Sequence, residues 1–357
     1  MAKIDRLFRF LSDQGGSDLH LVEGQPPKVR LHGELVNIKH PVLDHATMQD
    51  YLSEICDPKK WQDFQTKRDL DFAYESKGIA RFRSNYFHQE YGLGAVFRII
   101  PSEIRNLSQL NLPEVILEFA RLTSGLVLVT GPTGSGKSTT LAAIIDFMND
   151  HFYRRIITIE DPVEFSHRNK KCVIMHREVG TDARSFASAL HAATRQDPDV
   201  ILVGEMRDLE TISLAISAAE MGKLVLATLH TNSAPKTIDR VIDAFPEDSQ
   251  GQVRTQLAES LKGVVSQLLC RTVDGKGRVA VNEVLIGSPA LANVIREGQI
   301  GKIYSIIEGG RGEGMMLMDD SLIKYLKAGK ITPQEAYIKG NDKKKFQAFL
   351  PADFTAT

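Results

Sequence analysis

The stretch Gly131-Pro132-Thr133-Gly134-Ser135-Gly136-Lys137-Ser138 decides the fold of this chain. Its spacing is G-x-x-x-x-G-K-S, in which glycines let successive backbone N–H groups point toward one phosphate group. The pattern is informative only between a strand and a helix. An apolar β-branched run at 126–129 precedes it, and 139–148 has apolar residues at helical spacing. We therefore predict a phosphate-binding loop rather than a chance match in a turn.

The chemistry of such a loop follows from its position. The helix that begins at Lys137 adds its unpaired N–H groups and the positive end of its dipole to the site. The Lys137 ammonium would bridge the β- and γ-phosphates, and the Ser138 hydroxyl would ligate Mg²⁺.

Composition limits the class of protein. A chain of 357 residues is too long for one ordinary core, so we expect two domains. The net charge of −1 gives no electrostatic reason to expect a nucleic-acid or anionic-membrane partner. No apolar run approaches the roughly 20 residues that span a bilayer, and the N-terminus lacks a signal-peptide core. Cys56, Cys172 and Cys270 form no C-x-x-C pair. They indicate neither a disulfide framework nor a zinc site, and we expect a cytoplasmic protein.

Acidic residues and a histidine follow further apolar strands. The strand predicted at 155–159 ends in Glu160-Asp161-Pro162-Val163-Glu164, and the strand at 199–203 leads to Glu205. The strand at 224–229 is followed by His230. Carboxyl ends of parallel strands form the ligand-binding edge of an open sheet, so this histidine is more plausible as a functional group than as a core residue. Apolar runs that alternate with helices predict a parallel, doubly wound α/β sheet.

Residues 1–100 have the pattern of a small α+β domain. The strand predicted at 79–88 has Arg81 and Arg83 on one face, because side chains two residues apart point the same way. Arg98 lies on the next predicted strand. One interpretation is a solvated sheet face, and the other is a face that meets phosphate charge on a neighbouring subunit.

The domain organisation is read from composition. A polar segment at 101–113, with a proline at each end, predicts an interdomain linker between domains at 1–100 and 114–357. Past Ser288 we predict short helices, a flexible break at 309–314 and a loose tail at 351–357. Apolar residues in this region are spaced either for packing on the sheet or for a partner helix. They are Leu291, Val294, Ile295, Ile303, Ile306 and Ile307.

Four signatures together carry a family resemblance over essentially the whole chain: GPTGSGKST, ITIEDPVEF, DPDVILVGEMRD and LATLHTN. In this order and spacing, the chain resembles the secretion and type IV pilus ATPases, which are hexameric ring motors. The resemblance implies a RecA-like P-loop ATPase domain preceded by a small PAS-like α+β domain.

Within that superfamily the chain looks like the retraction ATPases, the PilT group. It is short, without an additional N-terminal domain, and it lacks the four-cysteine zinc insertion that extension and secretion members generally carry. Residues 290–297 (ALANVIRE) are similar to the retraction motif A-I-R-N-L-I-R-E. Ala292 stands where the family has its first arginine, whereas Asn293, Arg296 and Glu297 match.

The resemblance also implies roles for individual residues. Glu205 would hold Mg²⁺ through water, Glu164 would orient and activate the attacking water, and His230 would sense the γ-phosphate. Arg81, Arg83 and Arg98 resemble arginines of the first domain that reach a nucleotide, and Arg195 and Arg207 are weaker candidates. The residues expected to bind ATP are Gly134, Ser135, Gly136, Lys137, Ser138 and Thr139.

The function implied is Mg²⁺-dependent ATP hydrolysis in a homohexamer that powers type IV pilus retraction and twitching motility. The implied partner is a platform protein of the inner membrane, with the motor on its cytoplasmic face. An accessory retraction ATPase and an extension or secretion ATPase remain alternatives. A hexameric nucleic-acid translocase and a nucleotide-gated scaffold are alternatives of other classes.

Overall fold

The computed structural model describes residues 2–31, 33–100 and 103–351. Unit 1 of the chain comprises Met1–Glu103 and Pro162–Ser166, and unit 2 comprises Ile104–Asp161 and His167–Thr357. The boundary after Glu103 lies inside the segment expected to be a linker. Leu107 and Leu112 are buried in a core of unit 2, so the second half of that segment packs as part of unit 2.

Unit 1, in its described residues, has a six-stranded antiparallel sheet and three helices that share one apolar core. The strands are β1 (Asp18–Val22), β2 (Lys28–Leu31), β3 (Glu34–Asn37), β4 (Asp69–Ser76), β5 (Ala80–Gln89) and β6 (Gly92–Ile100), in the order β3-β2-β1-β6-β5-β4. The helices are α1 (Asp5–Asp13), α2 (His45–Glu54) and α3 (Pro58–Lys67). Asp44 and Asp57 accept backbone N–H groups at the first turns of α2 and α3, which explains where these helices begin. The ring of Phe8 stacks on that of Phe82 at 4.1 Å between centroids, joining α1 to the sheet.

Unit 2 is built on a seven-stranded sheet in the part of the chain that the structure describes. Its strands are β7 (Gly125–Thr130), β8 (Arg155–Glu160), β9 (Val173–Glu178), β10 (Val200–Val203), β11 (Leu224–Leu229), β12 (Leu261–Arg271) and β13 (Arg278–Ile286). Its α-helices are α4 (Val115–Arg121), α5 (Lys137–His151), α6 (Phe186–Ala193), α7 (Leu209–Glu220), α8 (Ala234–Ile242), α9 (Gln250–Ser260), α10 (Pro289–Arg296), α11 (Ile303–Gly309), α12 (Met318–Lys327), α13 (Pro333–Lys339) and α14 (Lys344–Gln347).

The order of this sheet is β13-β12-β7-β11-β10-β8-β9. The strands from β12 to β9 are parallel, and β13 closes one edge as the antiparallel partner of β12. Leu126 and Leu128 of β7 enter the core on one face, whereas Val127 and Val129 enter the core on the other. A sheet buried on both faces requires the continuous apolar strands seen in the sequence, and the predicted doubly wound sheet is confirmed.

Several details differ from the expectations. The strands β3 and β9 were not predicted. The segment 309–314, expected to be a flexible break, contains the end of α11 and a 3-10 helix at Gly310–Glu313, which ends at Gly314 with φ of +96°. The apolar residues past Ser288 pack on the sheet of unit 2, with Leu291, Ile295, Ile303 and Ile307 fully buried. The predicted tail lies outside the described residues from residue 352 on. No helix among the described residues combines the length and apolar character that a membrane crossing needs.

Candidate nucleotide site

The loop between β7 and α5 needs glycine at three positions. Gly131, Gly134 and Gly136 have φ of +145°, +77° and +87°, conformations that side chains rarely adopt. A Cβ at Gly131 would collide with the backbone oxygen of Gln267 and lie 2.6 Å from Ser135 Oγ. A Cβ at Gly136 would lie 2.9 Å from Gln267 Nε2. Glycine is therefore needed at all three positions for the backbone conformation, and at Gly131 and Gly136 also for close packing against β12.

Lys137 begins α5 and folds back over the loop. Its Nζ donates to the carbonyl oxygens of Gly131 and Pro132 at 2.9 and 3.2 Å, and only 9% of the residue is exposed. The next residues of the first turn, Ser138 and Thr139, are half-buried. The ammonium and the Ser138 hydroxyl are thus held at the same end of the helix as the loop.

Two observations show that this loop is suited to an anion. Ser135 Oγ is buried and has no hydrogen-bond partner among the described residues, although a buried hydroxyl normally has one. Gly136, the N-cap residue of α5, has no side chain that could accept from the first N–H groups of the helix. The first N–H groups of a helix have no partner within the helix, so a phosphate group fits the donors present here.

Glu205 follows β10 and contacts the side chains of Arg207 and His230. Arg207 Nη2 donates to Glu205 Oε2 at 2.6 Å, and His230 Nε2, beyond the end of β11, lies 3.0 Å from Glu205 Oε1. Burial acts to raise the pKa of Glu205. The hydrogen bond from Arg207 and the charges of Arg207, His230 and Lys137 outweigh burial and lower that pKa. Glu205 is therefore an ionised carboxylate next to the phosphate loop.

The residues around the loop also fit Mg²⁺. No group of three or more His, Cys, Asp or Glu in the described residues is arranged to hold a metal ion. Mg²⁺ is commonly held by one or two protein oxygens, water and substrate phosphates, so it does not require such a group. The Ser138 hydroxyl and the ionised Glu205 carboxylate supply hard oxygen donors of the required kind.

Other predicted site residues belong to unit 1. Glu164 lies in the segment Pro162–Ser166, and its role as catalytic acid stays a prediction. Arg81 and Arg83 flank the buried Phe82 on β5, so their predicted shared face is confirmed. Arg98 of β6 pairs directly opposite Arg83.

Arg98 has a partner that the sequence did not reveal. Its Nε donates to Asp18 Oδ1 at 2.7 Å, and Arg30 Nε lies 3.8 Å from the other carboxylate oxygen. The Asp18 side chain is only 4% exposed. Burial acts to raise the pKa of Asp18, but hydrogen bonds from Ser17 and Arg98 reverse the effect and lower it. Arg98 thus compensates a buried charge within unit 1.

The weaker arginine candidates, Arg195 and Arg207, lie in unit 2. Arg207 is the partner of Glu205, whereas the exposed Arg195 has its Nη2 3.2 Å from His191 Nδ1.

The motif at 290–297 spans most of α10. Arg296 Nη1 donates to Asn293 Oδ1 at 3.1 Å, and Arg296 Nη2 lies 3.8 Å from Glu259 Oε1. Ala292 packs, partly buried, against the core of unit 2.

Buried polar residues of β12 and β13 were not predicted from the sequence. Ser266 and Gln267 interrupt the apolar strand β12, and Asn282 and Glu283 interrupt β13 at the paired positions. Ser266 Oγ lies 2.8 Å from the hydroxyl of Thr130, the residue that precedes the loop. A signal was present, since four polar residues in two apolar strands need partners when buried.

These features define a P-loop ATPase with a RecA-like, doubly wound α/β domain. Residues 11–308 match the family described as type II/IV secretion system protein, and the chain belongs to that family.

Among its relatives is a type IV pilus retraction ATPase, PilT, of Pseudomonas aeruginosa. It is 48% identical over 343 residues, which cover 96% of this chain and 99% of the relative. A twitching motility protein of Neisseria gonorrhoeae is 46% identical over 310 residues, covering 87% of this chain and 83% of the relative. A crystal structure of the pilus retraction motor PilT with bound ADP superposes with a TM-score of 0.90 at 42% identity. The match covers 97% of this chain and 98% of that one.

Proposed function

We propose that this chain hydrolyses ATP with Mg²⁺ in a homohexameric motor that drives type IV pilus retraction. The proposal depends on the anion-binding loop at the N-terminal end of α5. Three features meet there: a backbone conformation that requires glycine, the Lys137 ammonium, and the Ser135 hydroxyl, which has no hydrogen-bond partner among the described residues. The 48% identity to a retraction ATPase over 96% of the chain supports the retraction role. The motor would act at the cytoplasmic face of the inner membrane, on a platform protein at the pilus base.

The reaction requires mainly positioning and neutralisation of charge. Backbone N–H groups at 134–139 bind the phosphates. The Lys137 ammonium gives up its hydrogen bonds to the carbonyl oxygens of Gly131 and Pro132 and binds phosphate oxygens instead. Ser138 and Glu205 would hold Mg²⁺, which supplies charge neutralisation at the phosphates. Glu164 orients and deprotonates the attacking water, and His230 responds to the terminal phosphate. Arg81 and Arg83 approach the nucleotide from a neighbouring subunit, so each hydrolysis event is coupled to a movement between domains.

The test is imaging of pili in cells whose chromosomal copy carries Lys137→Ala. We expect excess surface pili and no twitching, because filaments still assemble and are not withdrawn. Lys327→Ala, an exposed lysine at the end of α12, is the matched control and should leave both unchanged. A strain without pili would instead indicate an extension motor. Normal piliation together with DNA-stimulated ATPase activity would indicate a nucleic-acid translocase, and either result would overturn the proposal.

A further inference from the structure

The side-chain amide of Gln267 lies directly beneath the phosphate loop. Gln267 is on β12, the strand next to β7, and only 2% of the residue is exposed. Its Nε2 donates to the backbone oxygen of Ser135 at 2.6 Å. Its Oε1 accepts from Thr140 Oγ1 at 2.8 Å and from Asn282 Nδ2 at 3.0 Å. One buried amide thus joins the loop, the first turns of α5 and the strand β13.

The partners of Gln267 determine which way its amide points. The Ser135 carbonyl oxygen can only accept a hydrogen bond, so the amide atom that faces it is the nitrogen. The amide oxygen then faces Thr140 Oγ1 and Asn282 Nδ2, which can both donate to it. The backbone N–H of Asn282 donates to Ser321 Oγ of α12 at 3.3 Å, which anchors this partner in turn. The Ser135 carbonyl therefore specifies the orientation of the amide, and Thr140 and Asn282 complete its hydrogen bonds.

We infer that Gln267 is a positioning residue for phosphate binding, which holds the loop in the conformation that directs its N–H groups at one anion. Ser135 precedes Lys137 in the sequence and Thr140 follows it. Holding the Ser135 carbonyl and the Thr140 side chain in place therefore limits movement of the segment between them. The absence of Cβ at Gly131 and Gly136 is what lets Gln267 approach so closely. The inference rests on the proposed binding of nucleotide at this loop, and it adds a residue that touches no phosphate itself.

The decisive variant is Gln267→Glu, which keeps the shape and removes the donor to Ser135. The matched control is Asn149→Asp, the same change of amide to acid at a residue that is 0% exposed. Asn149 Nδ2 donates to the Arg168 backbone oxygen at 2.8 Å, and Asn149 lies near the opposite end of α5 from the loop. We expect both variants to lower the thermal midpoint. Only Gln267→Glu should weaken ADP binding without Mg²⁺, by about 10-fold or more.

A pH series separates the lost donor from general damage. Lower pH protonates the introduced carboxyl, which can then donate to the Ser135 carbonyl, so the affinity ratio of variant to wild type should move toward one. The charged and titratable groups around the loop, Lys137, Glu205 and His230, are common to both proteins, so their effects cancel in that ratio. Equal ADP affinity of Gln267→Glu and wild type would overturn the inference, as would an equal loss in Asn149→Asp.

A milder variant keeps the inference testable if Gln267→Glu does not fold. Asn282→Leu removes one donor to Gln267 Oε1 and leaves the loop untouched, and it should weaken ADP binding by about 3-fold. Unchanged affinity would contradict the inference. A wild-type protein that binds no nucleotide would contradict the proposed function instead, so the two failures are distinguishable.

Discussion

His230 Nε2 lies 3.0 Å from Glu205 Oε1, so the side chain that follows β11 contacts the carboxylate that follows β10. Arg207 occupies the other oxygen of the same carboxylate at 2.6 Å. His230 and Arg207 thus contact the two oxygens of one carboxylate. If His230 senses the terminal phosphate from this position, its response would change its contact with Glu205 and so the position of that carboxylate.

The first prediction concerns this contact. His230→Ala should lower kcat by about 10-fold while ADP affinity changes by less than about 3-fold, since the phosphate loop is intact and only one partner of Glu205 is lost. Steady-state ATPase rates and ADP titration measure the two quantities. His191→Ala, an exposed histidine of the same unit, is the control and should resemble wild type. A loss confined to ADP affinity would show that His230 contributes to binding rather than to turnover.

The second prediction is a pH dependence of stability. The folded-state pKa of Glu205 lies below its ordinary value of 4.5. Its ionised form therefore stabilises the folded chain above that value, and the contribution is lost as pH falls through the lowered pKa. Glu205→Gln should lower the denaturation midpoint at pH 7, and the difference from wild type should shrink between about pH 5 and pH 3. A difference that grows toward acid would contradict the assigned direction of the shift.

The parallel core was predictable because its signals are local. Each central strand is a continuous apolar run, and the run before the loop needs no distant information to be recognised. The strand β3 (Glu34–Asn37) is exposed throughout, so no burial pattern could reveal it. The strand β9 (Val173–Glu178) lies at the sheet edge with mixed exposure, which hides the apolar signal in the same way.

The site was predictable where one segment supplies the chemistry, and not where distant segments meet. The loop and Glu205 stand in recognisable motifs. Gln267 and Ser135 are 132 residues apart, and Arg98 and Asp18 are 80 apart. Neither pairing follows from spacing or composition, because strand order and register alone bring these residues together.

The third prediction separates catalysis from binding. Glu164→Ala should retain ADP affinity and lower kcat by about 100-fold, because the proposed role of this carboxylate is to orient and deprotonate water. Single-turnover hydrolysis and ADP titration measure the two effects. The exposed Glu247 offers a control, since Glu247→Ala removes a carboxylate from the surface of unit 2. Weakened binding with normal turnover would assign Glu164 a binding role and leave the catalytic acid to be found elsewhere.

The last prediction distinguishes two arginines that face each other across β5 and β6. Arg98→Ala leaves the carboxylate of Asp18, 4% exposed, without its closest cationic partner. The free energy of unfolding should fall by about 1–3 kcal/mol. Arg83 is exposed, so Arg83→Ala should change the free energy of unfolding by less than about 0.5 kcal/mol.

If Arg83 serves a neighbouring subunit, its loss should lower ATPase turnover in assembled rings and leave the turnover of the dilute monomer unaffected. Urea denaturation and ATPase assays across protein concentration test both statements. A stability loss in Arg83→Ala equal to that in Arg98→Ala would make both residues structural.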